Sequence, residues 1–162
     1  MDYIIRSATI EDEPVVWEML RYASHEASLE SIQKQPCLAC YASNWGKTGD
    51  LGCIAEKDKL SIGMAWLRLW SAETKGYGYI NERIPELAIA VLPDFRGRGV
   101  GTQLLIHILE MAKSHFPGVS LSVRASNPVL KLYERVGFNR ITGSEVINKA
   151  GEVSFNMMLE FQ

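Results

Sequence analysis

At 162 residues, 47% hydrophobic and 22% charged, the chain can bury the core of one globular domain spanning residues 1–162. A formal charge of −2, with no long run of lysine or arginine, argues against a surface built to neutralise nucleic-acid phosphates. No apolar run reaches the length of a membrane span, and the opening MDYIIRSATIEDE lacks a basic segment followed by a hydrophobic stretch, so a soluble cytoplasmic protein is expected.

The first predicted strand covers residues 3–6. Thr9 and Asp12 then form a capping-box pattern for a helix through Val15, Val16, Met19 and Leu20, whose start Pro14 blurs. Residues 24–50, with Tyr41, Trp45, Gly46 and Gly49, read as a broken helix and a loop. Cys37 and Cys40 make a CxxC, but no second ligand pair accompanies it. His25, His107 and His115 show no partnering spacing, so no metal is expected, and Cys37, Cys40 and Cys53 read as free thiols. Two strands, at 51–56 and 62–69, flank a turn at Lys57, Asp58 and Lys59. The polar, glycine-bearing segment SAETKGYGYINERIP follows, long enough either to serve a site or simply to connect. Trp17, Tyr22, Trp45, Trp66, Tyr77 and Tyr79 read as core aromatics or as the wall of an acceptor pocket.

The most informative stretch is residues 87–102, LAIAVLPDFRGRGVGT: an apolar strand, a proline, a basic glycine-dense bend and a helix start. Gly97, Gly99 and Gly101 lack a Cβ and let backbone N–H groups approach an anion. The first amides of the helix lack partners within it and lie at the positive end of its dipole. Arg96 and Arg98 add formal charge and planar donors. Val100, Leu104, Leu105, Ile108, Leu109, Ala112 and Phe116 recur at helical spacing, predicting a helix to about His115. A Walker loop is excluded because Gly101 leads into Thr102 and Gln103, which also argues against an ATP-dependent transferase. A GxGxxG fingerprint is excluded because Thr102 and Leu104 stand where a third glycine is needed.

Residues 120–138, SLSVRASNPVLKLYERVGF, form a second unit. A strand through Leu121 and Val123 leads to Asn127 as a helix cap and Pro128 at the first helical position. Val129, Leu130, Leu132, Tyr133 and Val136 make the apolar face of a short helix ended by Gly137. Two closing strands, at 140–146 and 153–161, are joined by a turn at 149–151.

Arg96-x-x-Gly99-x-Gly101 after a strand, followed by Asn127, Leu132-Tyr133 and Gly137-Phe138, resembles the two signatures of the GNAT superfamily of N-acetyltransferases, and the element order resembles that family over nearly the whole chain. The resemblance implies an α/β fold of the α+β type: a central mixed sheet of about six to seven strands with helices on both faces, its strands at 87–92 and 121–124 parallel and then splayed. It implies acetyl-CoA as cosubstrate, with pantetheine in the wedge against Ile89, Ala90 and Val91. Its phosphates would meet Arg96, Gly97, Arg98, Gly99, Val100, Gly101 and Thr102, and Asn127 would touch it from the second wall while also capping its helix.

An alkylamine titrating near about 10.4 must lose a proton before it can attack a thioester. Glu86 matches a strand glutamate that in many family members takes that proton, often through water; Glu82 is a weaker substitute. Tyr133 matches the family position that protonates the departing thiolate, against the plainer role of a packed tyrosine with its hydroxyl satisfied locally. The expected activity is direct acetyl transfer to a primary amine of a small molecule or a protein. The alternative is a non-catalytic acyl-CoA-binding sensor. Homodimers through the closing strands or the long helix are common in the family, and no residue decides the matter here.

Overall fold

The computed structural model describes residues 1–148 and 150–162. Among them, eight strands form one sheet in the order β1-β2-β3-β4-β5-β8-β6, with β7 also paired to β8. The strands are β1 (Ile4–Ser7), β2 (Leu51–Lys57), β3 (Leu60–Arg68), β4 (Glu86–Val91), β5 (Gly118–Arg124), β6 (Asn139–Arg140), β7 (Val146–Ile147) and β8 (Val153–Glu160). The helices are α1 (Glu13–Ala23), α2 (Leu29–Gln33), α3 (Pro36–Ala39), α4 (Val100–Ala112) and α5 (Leu130–Val136).

The sheet is mixed: β4 and β5 are parallel, and every other pairing is antiparallel. Alternation along the strands sends side chains to two cores, one per face. Cys53, Ala55, Ala65 and Leu67 pack with Leu104, Leu105 and Ile108 of α4. Ile54, Met64 and Trp66 pack with Val16, Met19 and Leu20 of α1, together with Tyr41 and Trp45. Trp45 and Trp66 are therefore core residues rather than pocket walls.

Local chemistry explains the element ends. The Thr9 N–H donates to Asp12 Oδ2 at 2.7 Å, one half of the expected capping box, and Pro14 stands in the first turn of α1, where a missing N–H is harmless. Helix α1 ends in a Schellman arrangement: Glu26 N–H bonds to the Arg21 carbonyl and His25 N–H to the Tyr22 carbonyl. His25 takes the left-handed position, with φ of +59°, where glycine is usual.

The closing region holds β6, β7 and β8 where two strands were expected, which brings the mixed sheet to eight. The segment read as one strand at 140–146 is two short ones, because Ser144 N–H returns to the Ile141 carbonyl and Gly143 turns at φ of +85°. The short helix also begins later than its proline implies. Asn127 Oδ1 accepts from Val129 N–H at 3.0 Å, its carbonyl accepts from Leu130 N–H, and α5 begins only at Leu130. Lys149, in the expected turn at 149–151, lies outside the described residues.

Candidate active site

Among the described residues, β4 and β5 pair only where Glu86 faces Ser120. Beyond that point the strands part, while β4 stays zipped to β3 from Glu86 to Val91. The other edge of β4 opens into a wedge. The join is braced by the 71–85 loop: Ser120 N–H donates to the Pro85 carbonyl at 2.9 Å and Ser120 Oγ to the Gly78 carbonyl at 2.7 Å.

A groove of about 790 Å³ runs along this edge to the start of α4. Ile89, Ala90, Val91, Arg96, Gly97, Gly99, Val100, Gly101, Thr102 and Asn127 all line it; Arg98 does not. Gly97 and Gly99 have φ of +74° and +84°, and a Cβ built on either meets no described atom within 4 Å. These two glycines are required by backbone conformation, and the space before them is open. Gly101 differs, since its Cβ would make an ordinary contact with Val91 at 3.7 Å. Gln103 N–H bonds back to the Gly99 carbonyl at 3.1 Å, so the amides of Val100, Gly101 and Thr102 precede the first helical bond and point out of the helix end. Arg96 ties the bend to the strand through Nε and the Val91 carbonyl at 2.9 Å.

A second cavity of about 500 Å³ lies on the other side of the splay. Glu86 lines it, yet the residue is only 4% exposed and so is not a solvated carboxylate at a strand end. Three donors hold it: Tyr41 Oη to Oε2 at 2.7 Å, and Trp70 Nε1 and Gly78 N–H to Oε1, each at 2.9 Å. Burial pushes its carboxyl above the ordinary range, against the pull of those donors. The 71–85 loop closes on it so tightly that a Cβ at Gly78 would sit 2.8 Å from Glu86 Cδ. The loop is therefore more than a connection. Glu82, exposed and accepting from Ala72 N–H at 3.2 Å, stays outside both cavities.

The groove and the cavity meet at Ala23, His25, Ile89, Arg124, Asn127 and Tyr133. Tyr133 is 6% exposed and packs edge-on to Phe138 at 5.7 Å. Among the described residues its hydroxyl has no protein hydrogen-bond partner, and no buried side-chain N or O is left unpaired. The oxygen therefore opens into the shared space, unlike a core tyrosine satisfied locally. Burial alone raises this phenol to about 12.

The sequence points to Glu86 and Tyr133 as candidates but not to Tyr41, Trp70 or Gly78. Tyr41 lies in the stretch with no readable periodicity, and the loop's value shows only once it folds over Glu86. Tyr77 of that loop and Tyr22 of α1 do line the two spaces, one each. Among the described residues no cluster of three or more His, Cys, Asp or Glu is placed to hold a metal, and no helix is long and apolar enough to cross a membrane.

A splayed parallel pair with a helix N-terminus at one end of the wedge defines an acyl-CoA N-acyltransferase fold. The profile of the Acetyltransferase (GNAT) family matches residues 8–138, and the chain belongs to that family. Over 56 residues it is 46% identical to the [Ribosomal protein bS18]-alanine N-acetyltransferase of Salmonella typhimurium and 45% identical to that of Escherichia coli. Those matches span 33% of this chain and 38% of each relative. The crystal structure of the Escherichia coli ribosomal-protein-S18-alanine N-acetyltransferase superposes with a TM-score of 0.69 at 24% identity, covering 98% of this chain and 94% of that one. Salmonella typhimurium yncA, solved with its cofactor acetyl-CoA, gives a TM-score of 0.74 at 18% identity, covering 100% and 95%.

Proposed function

We propose that this protein moves the acetyl group of acetyl-CoA directly to a primary amine within a ternary complex. The observation that carries the reading is the meeting of an anion-ready groove and a second cavity at the unpartnered hydroxyl of Tyr133, with a buried carboxylate, Glu86, on the cavity side.

The diphosphate sits on the amides of the 97–102 bend, beside Arg96 and with Arg98 adding charge at the rim. Pantetheine runs along β4 as an added strand, against Ile89, Ala90 and Val91, while Asn127 holds it from the α5 side. The thioester then lies where groove and cavity join. Glu86 is the base for the amine, its burial making it a better proton acceptor than an ordinary carboxylate. Attack makes a tetrahedral adduct whose oxyanion is met by a backbone N–H on the open edge of β4. The C–S bond breaks as Tyr133 gives its proton to sulfur. A phenol at about 12 is too weak an acid to supply a thiolate unaided, since a free thiol titrates near about 8.5. Tyr133 therefore takes the proton leaving the adduct's nitrogen as it gives up its own. One proton is released overall, through Glu86.

The acceptor cavity carries Glu26, Glu86, His25 and Arg124 among apolar and uncharged polar side chains, which suits a compact amine or the end of a chain better than a long basic peptide. The same reading places the protein in the cytoplasm as one domain, with Cys37, Cys40 and Cys53 as free thiols. Thiol release from acetyl-CoA tests it against a panel: an alanine-terminated peptide, as for the named relatives, a lysine peptide, a polyamine, free amino acids and an aminoglycoside. Amine-dependent release is expected for at least one. Release with none of them overturns the reading.

A further inference from the structure

Tyr41 is held from more sides than packing requires. It follows α3 in a stretch pinned from behind by Arg68, whose guanidinium pairs with Asp50 at 3.1 and 2.9 Å. The same side chain donates to the carbonyls of Cys40 and Ser43 at 2.9 and 2.6 Å. Trp66 Nε1 donates to the Tyr41 carbonyl at 3.0 Å. The Tyr41 ring stands edge-on to Trp70 at 5.0 Å and stacks on Tyr77 at 6.4 Å. Its hydroxyl accepts from Tyr77 N–H at 2.8 Å and donates to Glu86 Oε2 at 2.7 Å. One lone pair of that oxygen stays free. Tyr41 and Glu86 both line the acceptor cavity. Two donors already occupy Oε1 of Glu86, so the way to its remaining proton-accepting oxygen leads past the Tyr41 hydroxyl.

We infer that Tyr41 is a further catalytic residue: its hydroxyl takes the proton of the acceptor ammonium while passing its own to Glu86. This rests on the acetyl-transfer reading above. In the step an N–H bond of the ammonium breaks and an O–H bond forms at Tyr41. The original Tyr41 O–H breaks, and an O–H forms at Glu86 Oε2. The amine is left as free base, Tyr41 neutral and Glu86 as a carboxylic acid that later yields its proton to solvent. No electrons change hands. Burial and the adjacent carboxylate hold the Tyr41 phenol far above its ordinary value, so the two transfers go together without a phenolate. The titratable or charged groups facing the pair are Cys40 and Tyr77 beside it, and His25, Glu26, Arg124 and Tyr133 around the cavity.

The test compares wild type, Tyr41→Phe and Trp70→Phe on the best acceptor of the amine panel, across the pH range in which that amine titrates. A peptide α-amine, for example, titrates near about 8. When the amine arrives protonated, Tyr41→Phe should turn over about 10²-fold more slowly than wild type, and the deficit should close to about threefold once the amine arrives neutral. Trp70→Phe, which removes another donor from the same carboxylate, should show a ratio to wild type that does not change with pH. KM for acetyl-CoA should hold in both. Replacing Tyr41 by 3-fluorotyrosine keeps every hydrogen bond and the fold, and should alter the rate only below the pKa of the amine. A Tyr41→Phe deficit that is constant with pH, or a fluorotyrosine enzyme unaltered throughout, overturns the relay while leaving acetyl transfer standing. Absence of amine-dependent thiol release in wild type overturns acetyl transfer itself, and the relay with it.

Discussion

The two halves of the site are built in opposite ways. The end we propose for the cofactor is a bend of a few residues, in which two left-handed glycines and the first turn of α4 present main-chain amides to open space. The end we propose for the acceptor is a cage built from distant parts of the chain: Glu86 meets Tyr41 across 45 residues, Trp70 across 16 and Gly78 across 8. A phosphate can be gripped by backbone, which every residue has, so a short stretch suffices once glycine permits the conformation. Proton handling needs particular side chains at particular depths, and those come from wherever the fold delivers them.

If that division is right, damage to the bend should remove cofactor binding and leave the cage intact. Gly99→Val is the severest case, because a left-handed conformation costs a branched residue about 1–2 kcal/mol and the new side chain enters the cradle. Acetyl-CoA at 100 times its Kd should stabilise wild type by about 2.7 kcal/mol. In Gly99→Val that ligand-induced rise in melting temperature should vanish while the ligand-free protein still melts cooperatively. Normal acetyl-CoA affinity in the variant refutes the assignment of the bend.

Glu86→Gln strikes the cage and should do the reverse. Acetyl-CoA should bind as in wild type, and kcat should fall by about 10²- to 10⁴-fold. Burial raises the Glu86 carboxyl, so wild-type activity should decline as pH falls through a value above the usual carboxylate range, and Glu86→Gln should lose that limb. Linkage gives the matching sign for stability. The folded state holds this proton more tightly than the unfolded chain, so the contribution of Glu86 is full below the unfolded value and lost as pH rises through the folded one. Melting curves of the pair against pH read that difference, and identical profiles contradict the buried cage.

Tyr133→Phe tests the junction. Its hydroxyl has no protein partner among the described residues, so its removal should leave the melting temperature and acetyl-CoA affinity unchanged while kcat falls about 10²-fold. A large loss of stability contradicts an open hydroxyl, and an unchanged kcat removes Tyr133 from the chemistry.

The same division governs what could be read in the chain beforehand. The bend, the long helix and the Asn127 to Phe138 unit are local, so glycine, proline and helical spacing expose them, and Glu86 and Tyr133 follow from their places beside those units. The donors around Glu86 leave no such trace. Tyr41 sits in the turn between α3 and β2, in a segment without periodicity, and Gly78 looks like any loop glycine until a Cβ is built against the Glu86 side chain. The closing strand departs from its expected span for a similar reason: Gly143 and the Ser144 hydroxyl, which accepts from Asn156 N–H, break it into two, and that bond depends on a partner strand. His25 is another case, a left-handed cap where glycine would signal the helix end.

The β2–β3 hairpin belongs to neither half and gives the mildest check. Asp58 and Lys59 both hold positive φ, at 50° and 69°, the conformation of a two-residue type I′ turn for which Asn-Gly is the preferred pair. Replacing them by Asn and Gly relieves a conformation that non-glycine residues adopt at a cost, partly offset by the greater freedom glycine gains in the unfolded chain. A gain of about 0.5–1 kcal/mol in unfolding free energy is expected, with kcat, the acceptor pH profile and acetyl-CoA affinity unchanged. The turn also loses the contact between Lys57 and Asp58 at 3.1 Å, but Asp58 is 90% exposed and such a pair contributes little. If this distant change altered turnover as much as Glu86→Gln, the two halves of the site could not be treated as separable from the rest of the sheet. If it destabilised the protein, the local strain assigned to the turn would be wrong.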